Sequence, residues 1–179
     1  MPKRNRLMSG LLIPLTGIKT FPATTQVTIA QDFFAAFGQE EVLGADVRLS
    51  VWLDKEPGGF SLALDFDGKL VLCCDRCMEE MDWPLSFTAA YALRRAPDKD
   101  SEVEGETEDG REIIIVDASA KEFDAAQVVY DELCLHIPIR HTHPAGGCNP
   151  AAVKYLTDKP GGDDELTDTP FAVLKDLQL

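Results

Sequence analysis

The sequence predicts an α+β fold: an antiparallel β meander or partly open barrel with short packing helices and a candidate zinc-binding knuckle. Apolar residues alternate along several segments separated by Gly- and Pro-rich turns, the pattern of strands buried on one face. Other stretches place apolar side chains at i, i+3 and i+4, the spacing of a helix laid on a core. A Cys-x-x-Cys turn at Cys74 and Cys77 is answered far downstream by His141, His143 and Cys148. The chain has 179 residues and 45% apolar side chains, enough for one domain over residues 1–179 and too many for wholesale disorder.

Leu11–Thr16 is long enough for a short opening strand, and Thr24–Ile29 carries the alternation and β-branched residues of another. Phe33, Phe34 and Phe37 then form the aromatic edge of a short helix, with Gly38 near its stop. ADVRLSVWL, from Ala45 to Leu53, alternates; KEPGG supplies a turn; and Phe60–Leu72 alternates again. Gly68 marks a bulge or bend in that second strand. Trp83–Leu93 continues the meander, with Pro84 suited to the strand's start or to an edge.

The segment 96–111, APDKDSEVEGETEDGR, has no repeating apolar face and reads as a solvated, flexible acidic loop. Ile113–Val116 is a compact strand. Asp124 caps a helix running to Leu135, closed by Pro138, and Asp131 and Glu132 fall on it as surface or capping groups. Residues 158–169 form a loose Gly-, Pro- and acid-rich segment, and a short amphipathic helix follows Pro170 from Phe171 to Leu177.

Seventeen basic against 31 acidic residues give a net charge of −14, which works against a broad phosphate-tracking surface. Lys3, Arg4 and Arg6 before Leu7–Leu15 outline a secretory leader, but Pro14 and the absence of a small-residue cleavage pattern argue against one. No stretch approaches the ~20 apolar residues that cross a bilayer, so a soluble, cytoplasmic protein without membrane contact is expected. There the five cysteines would be thiols or metal thiolates.

Cys74, Cys77, His143 and Cys148 have the number and softness of a structural zinc set, with His141 as the alternative nitrogen donor. Asp75 and Arg76 face outward from the turn. A thioredoxin-like redox pair competes with this reading, yet nothing nearby supplies the helix N-terminus that would stabilise its thiolate. Thiols without a ligand are the third reading. Cys73 points away from Cys74 in extended backbone, Cys134 reads as a small buried hydrophobe, and His136 can satisfy carbonyls at its helix end. No nucleophile elbow or phosphate loop is present, and no pair of carboxylates converges, so no enzyme is expected.

CDRCMEE, LHIPIRHTHP and Cys148-Asn149-Pro150, together with LIPLTGIKTF, DFFAAF and FAVLKDL, resemble the YceD (DUF177) family of large ribosomal RNA subunit accumulation proteins, closest to its Bacteroidota-type branch. The resemblance implies a cytoplasmic, non-enzymatic role in accumulation or processing of large-subunit ribosomal RNA. It also implies metal donors at Cys74, Cys77, His141 or His143, and Cys148, although many relatives carry a second downstream CxxC that this chain lacks. Genes of the family commonly lie beside that of ribosomal protein L32, making that small basic protein or a large-subunit assembly intermediate the expected partner. Asp98, Asp100, Glu102, Glu104 and Glu106 would attract such a partner, and Arg140 would add a minor RNA contact. A zinc-stabilised nucleic-acid-binding module is the alternative; it would gather Arg76, Arg94, Arg95, Arg140 and Lys154 on one face.

Overall fold

A computed structural model describes residues 11–96, 105 and 107–157. The expected loop residues Asp98, Asp100, Glu102, Glu104 and Glu106, the basic start, and the segments 158–169 and 171–177 lie outside these residues.

The scaffold is a five-stranded sheet in spatial order β2 (Ala23–Ala30), β3 (Gly44–Glu56), β4 (Gly59–Cys73), β5 (Glu80–Ala96) and β6 (Glu112–Asp117). The first four strands form an open antiparallel meander. Strand β3 runs past the alternating Ala45–Leu53 that predicts it, and β4 exceeds Phe60–Leu72 by one residue at each end, because pairing continues to both ends: Gly44 faces Val71 and Glu56 faces Gly59. Pro57 and Gly58 make the turn, and Gly58 takes φ 83°, a conformation that costs a residue without a Cβ little.

Alternation does what the period of two requires. Val47, Leu49, Val51 and Leu53 from β3 share a core with Phe60, Leu62, Leu64, Phe66, Leu70 and Leu72 from β4. No bulge interrupts β4 at Gly68, where the expected irregularity is instead an unbroken register, Val47 to Gly68 and Gly68 to Leu85. Strand β6 departs from the antiparallel pattern: it joins Tyr91–Ala96 of β5 in parallel. The lower part of β5 therefore has no β6 partner, and Pro84 sits there, opposite Lys69, where a missing N–H is tolerated.

A second, two-stranded sheet pairs β1 (Leu12–Pro14) with β7 (Glu122–Asp124), a strand the sequence did not suggest. It leads directly into α2 (Ala126–Leu135), whose Ala126 N–H bonds the Asp124 carboxylate at 3.1 Å. Helix α1 (Gln31–Ala36) buries Phe33 and Phe34, and Phe37 beyond it stacks on Tyr130 of α2 at 4.2 Å. Ala126, Val129 and Leu133 bury the i, i+3, i+7 stripe of α2 against the core.

The last helix among the described residues, α3 (Pro150–Thr157), was not expected. Its signal is Asn149-Pro150: the Asn149 Oδ1 accepts the Ala151 N–H at 2.9 Å, and proline fits the first helical position.

Candidate metal centre

Strand β4 ends at Cys73, and the chain then folds back tightly on itself. The Cys74 N–H donates to the Glu79 carbonyl, the Met78 N–H donates to the Cys74 carbonyl, each at 2.8 Å, and Met78 adopts φ 61° to close the turn. This aims both Cys74 and Cys77 inward while Arg76 stays exposed. Asp75 is exposed as expected but engaged: its N–H donates to the His141 carbonyl at 2.9 Å, and its Oδ2 accepts the His141 N–H at 2.7 Å. A second clasp runs from Asn149 Nδ2 to Glu79 Oε1 at 2.6 Å.

These clasps bring the distant loop onto the knuckle. One donor atom from each of Cys74, Cys77, His143 and Cys148 lies within 4.8 Å of the other three. The Cys74 and Cys148 sulfurs are 3.9 Å apart, too far for a disulfide, and Cys77 Sγ lies 3.4 Å from His143 Nδ1. Four donors around zinc at ordinary bond lengths have S···S edges of roughly 3.8 Å and S···N edges of roughly 3.6 Å. The donor set therefore fits a tetrahedral ion. Its four protein donors would leave no open position for water, the arrangement of a structural rather than a catalytic site.

Local electrostatics favour a thiolate here. Burial raises the Cys74 thiol, but backbone N–H groups of His143, Cys77 and Arg76 and the Cys77 side chain outweigh it and bring it down to about 5. Burial pushes the Cys148 thiol up, reinforced by Cys74 and Cys77. Met81 and Trp83 from β5 and Ala152 and Val153 from α3 enclose the cluster as a small second core.

The other candidates fall elsewhere. His141 stands outside the cluster, with Nδ1 buried, 3.6 Å from Asp75 Oδ1 and without a hydrogen bond. Cys73 and Cys134 are half-buried outside the cluster; Cys134 is thus not the fully buried hydrophobe expected. His136 Nδ1 meets the Glu132 carbonyl at 2.8 Å, and its ring stacks on Phe87. Glu132 is not a surface group, because the Tyr91 hydroxyl donates to its carboxylate from β5. Arg140 is exposed beside the clasp. Arg94 pairs with Glu56, and Arg95 donates to the Ala118 and Leu15 carbonyls, near the opposite end of β5. About 40 Å of strand separates them from the knuckle, so the five-cation face does not assemble.

A family model described as large ribosomal RNA subunit accumulation protein YceD matches residues 62–178, just under two thirds of the chain. The chain belongs to the YceD family. The matched stretch begins inside β4 and contains all four donors of the cluster. At the family level, YceD membership carries a non-enzymatic role related to ribosome biogenesis. Searches of curated proteins and of solved structures returned no match. No helix among the described residues is long and apolar enough to cross a membrane.

Proposed function

We propose that the protein is a cytoplasmic, non-enzymatic factor supporting accumulation or processing of large-subunit ribosomal RNA through contact with a ribosomal protein, L32 being the favoured one, or with an assembly intermediate. The YceD match across residues 62–178 is the observation that carries this reading. Zinc held by Cys74, Cys77, His143 and Cys148 staples the C-terminal loop and α3 to the meander and contributes to folding rather than turnover. The net charge of −14 favours a basic protein over RNA phosphates as the direct partner, with Asp98, Asp100, Glu102, Glu104 and Glu106 as its attraction point and Arg140 as a secondary RNA contact. The separation of Arg94 and Arg95 from the knuckle counts against a nucleic-acid module. We place the chain in the Bacteroidota-type branch on Cys148-Asn149-Pro150.

The test is capture of purified L32 and of large-subunit intermediates, with and without nuclease, by the intact chain and by one lacking residues 98–109. Nuclease-insensitive binding that weakens with salt and with the deletion is expected. Binding abolished by nuclease would transfer the function to RNA, and equal affinity after the deletion would remove the acidic loop from it. Elemental analysis of the Cys77→Ser variant tests the staple: about one zinc per chain should be lost together with thermal stability.

A further inference from the structure

Strand β2 ends the five-stranded sheet on one side, with β3 as its one neighbour. Among the described residues, no backbone hydrogen bond reaches its outer edge. Thr24, Gln26, Thr28 and Ala30 are exposed on the face away from the core. Thr25 is exposed too, although it pairs with buried Val51 and so lies on the core side, which an uncovered edge accounts for.

Sheet edges are normally blunted by charge, proline, bulges or short length. The other unpaired stretches carry such devices. Lower β5 has Glu80, Asp82 and Pro84, and β6 is bounded by Glu112 and Asp117, with the Ile113 N–H already donated to the Gly105 carbonyl. In β2, ATTQVTIA, eight residues run without a charge, a proline or a glycine, and their register with β3 is unbroken. On a chain of net charge −14 this is a neutral seam about 27 Å long.

We propose that β2 pairs antiparallel with β2 of a second copy, about a two-fold axis at Gln26, joining the two sheets edge to edge. A strand on a two-fold axis meets itself, and side chains of the same face must stand opposite one another. Setting Gln26 against its own copy does this: Thr24 meets Thr28, Thr25 meets Val27 and Ala23 meets Ile29, each pair occurring twice. Cross-strand pairs of threonine and other β-branched residues are favourable. On the core side, Ala23 and Thr25 line an apolar slot of about 40 Å³ together with Leu12, Ile18 and Val51. Opposite Thr25, Val27 of the second copy stands at the rim of that slot.

Charge sets the direction of pairing. At the N-terminal end of β2 stand Lys19 and Lys55, the latter with its ammonium 5.3 Å from the Phe21 ring, offset by Asp54. At the C-terminal end stand Asp32 and Asp46, while the nearby Arg48 and Lys69 are engaged by Asp67 and Asp82. Antiparallel pairing turns the basic end of each copy toward the acidic end of the other. A seam of this size lies below the ~1,200 Å² of standard interfaces, so the dimer should dissociate in the micromolar range. It is independent of the ribosomal role proposed above.

Sedimentation velocity of the full chain over a range of concentrations reads the association, and amide exchange at low and high concentration locates it. A monomer–dimer equilibrium is expected, with exchange at residues 23–30 slowing as dimer accumulates. Thr24→Lys combined with Thr28→Lys, at two exposed positions, sets like charges against one another and should weaken the dimer about tenfold or more at unchanged melting temperature. Gln26→Cys should give a dimer linked through that cysteine on mild oxidation. A chain that stays monomeric at its highest soluble concentration would overturn the proposal. So would a dimer that keeps its affinity with both lysines, or one that leaves exchange at residues 23–30 unchanged, either of which would move the interface elsewhere. Absence of the Gln26→Cys cross-link would overturn the axis.

Discussion

At Gly68 an added Cβ would lie 2.1 Å from the Asp46 carbonyl oxygen and 2.8 Å from Val47 Cα, both backbone atoms that cannot step aside. Gly68→Ala should therefore lower stability by about 2–3 kcal/mol in urea unfolding, whereas Gly105→Ala, with nothing within 4 Å, should leave it unchanged. The glycine itself was conspicuous in the sequence, but its reason was not: the crowding comes from Asp46 and Val47 on the neighbouring strand, distant in sequence. Tyr91 and Glu132 make the same point, since adjacency to Asp131 said nothing of a hydroxyl arriving from β5. Tyr91→Phe should cost about 1–3 kcal/mol in thermal or urea unfolding by leaving a carboxylate only 16% exposed without that donor. The choice between His141 and His143 was hidden for a physical reason. In extended backbone, residues two apart point the same way, so spacing ranks them equally. Asp75 separates them by taking His141 into the clasp.

Between the ends of the long hairpin and the acidic connection, Glu56 receives Arg111 at 2.8 Å and Arg94 at 3.2 Å. The Arg111 hydrogen bond is the largest influence on Glu56; together with Arg94 it outweighs partial burial and holds the carboxyl below its usual 4.5. A depressed folded-state value means that the pair contributes fully above the unfolded-state value and is lost as pH falls through the folded one. Melting curves of the parent and Glu56→Gln should therefore differ near neutrality and converge only as pH falls through the depressed folded-state value. At the other end, Asn149→Ala removes the α3 cap and the bond to Glu79; a loss of about 1 kcal/mol and faster amide exchange across residues 150–157 are expected. The antiparallel strands were legible because alternation is local. The parallel placement of β6 depends on where the 97–111 connection returns, and β7 is a three-residue strand that pairing alone defines.

Across the whole molecule, the broad sheet core and the small cysteine core are distinct clusters of buried residues that meet at half-buried Trp83, so an ion in the cysteine cluster should matter unequally to them. Chelation should lower the melting temperature and expose residues 141–157 to amide exchange first, while β3, β4 and the upper part of β5 stay protected. Simultaneous loss of protection everywhere would show instead that the sheet depends on the ion. The three cysteines of the cluster stood out in the sequence because soft ligands at CxxC spacing are rare outside metal and redox sites, but the histidine was left open and the convergence of the set depended on the clasps and α3. The sulfurs of Cys74 and Cys148 come from positions 74 residues apart. During synthesis at 5–20 residues per second, the first pair of thiols waits roughly 4–15 s for its second half. For a chain that takes up an ion at this cluster, that interval would open the thiols to oxidation and to capture of the wrong ion, making the timing of translation, and not only affinity, a determinant of loading.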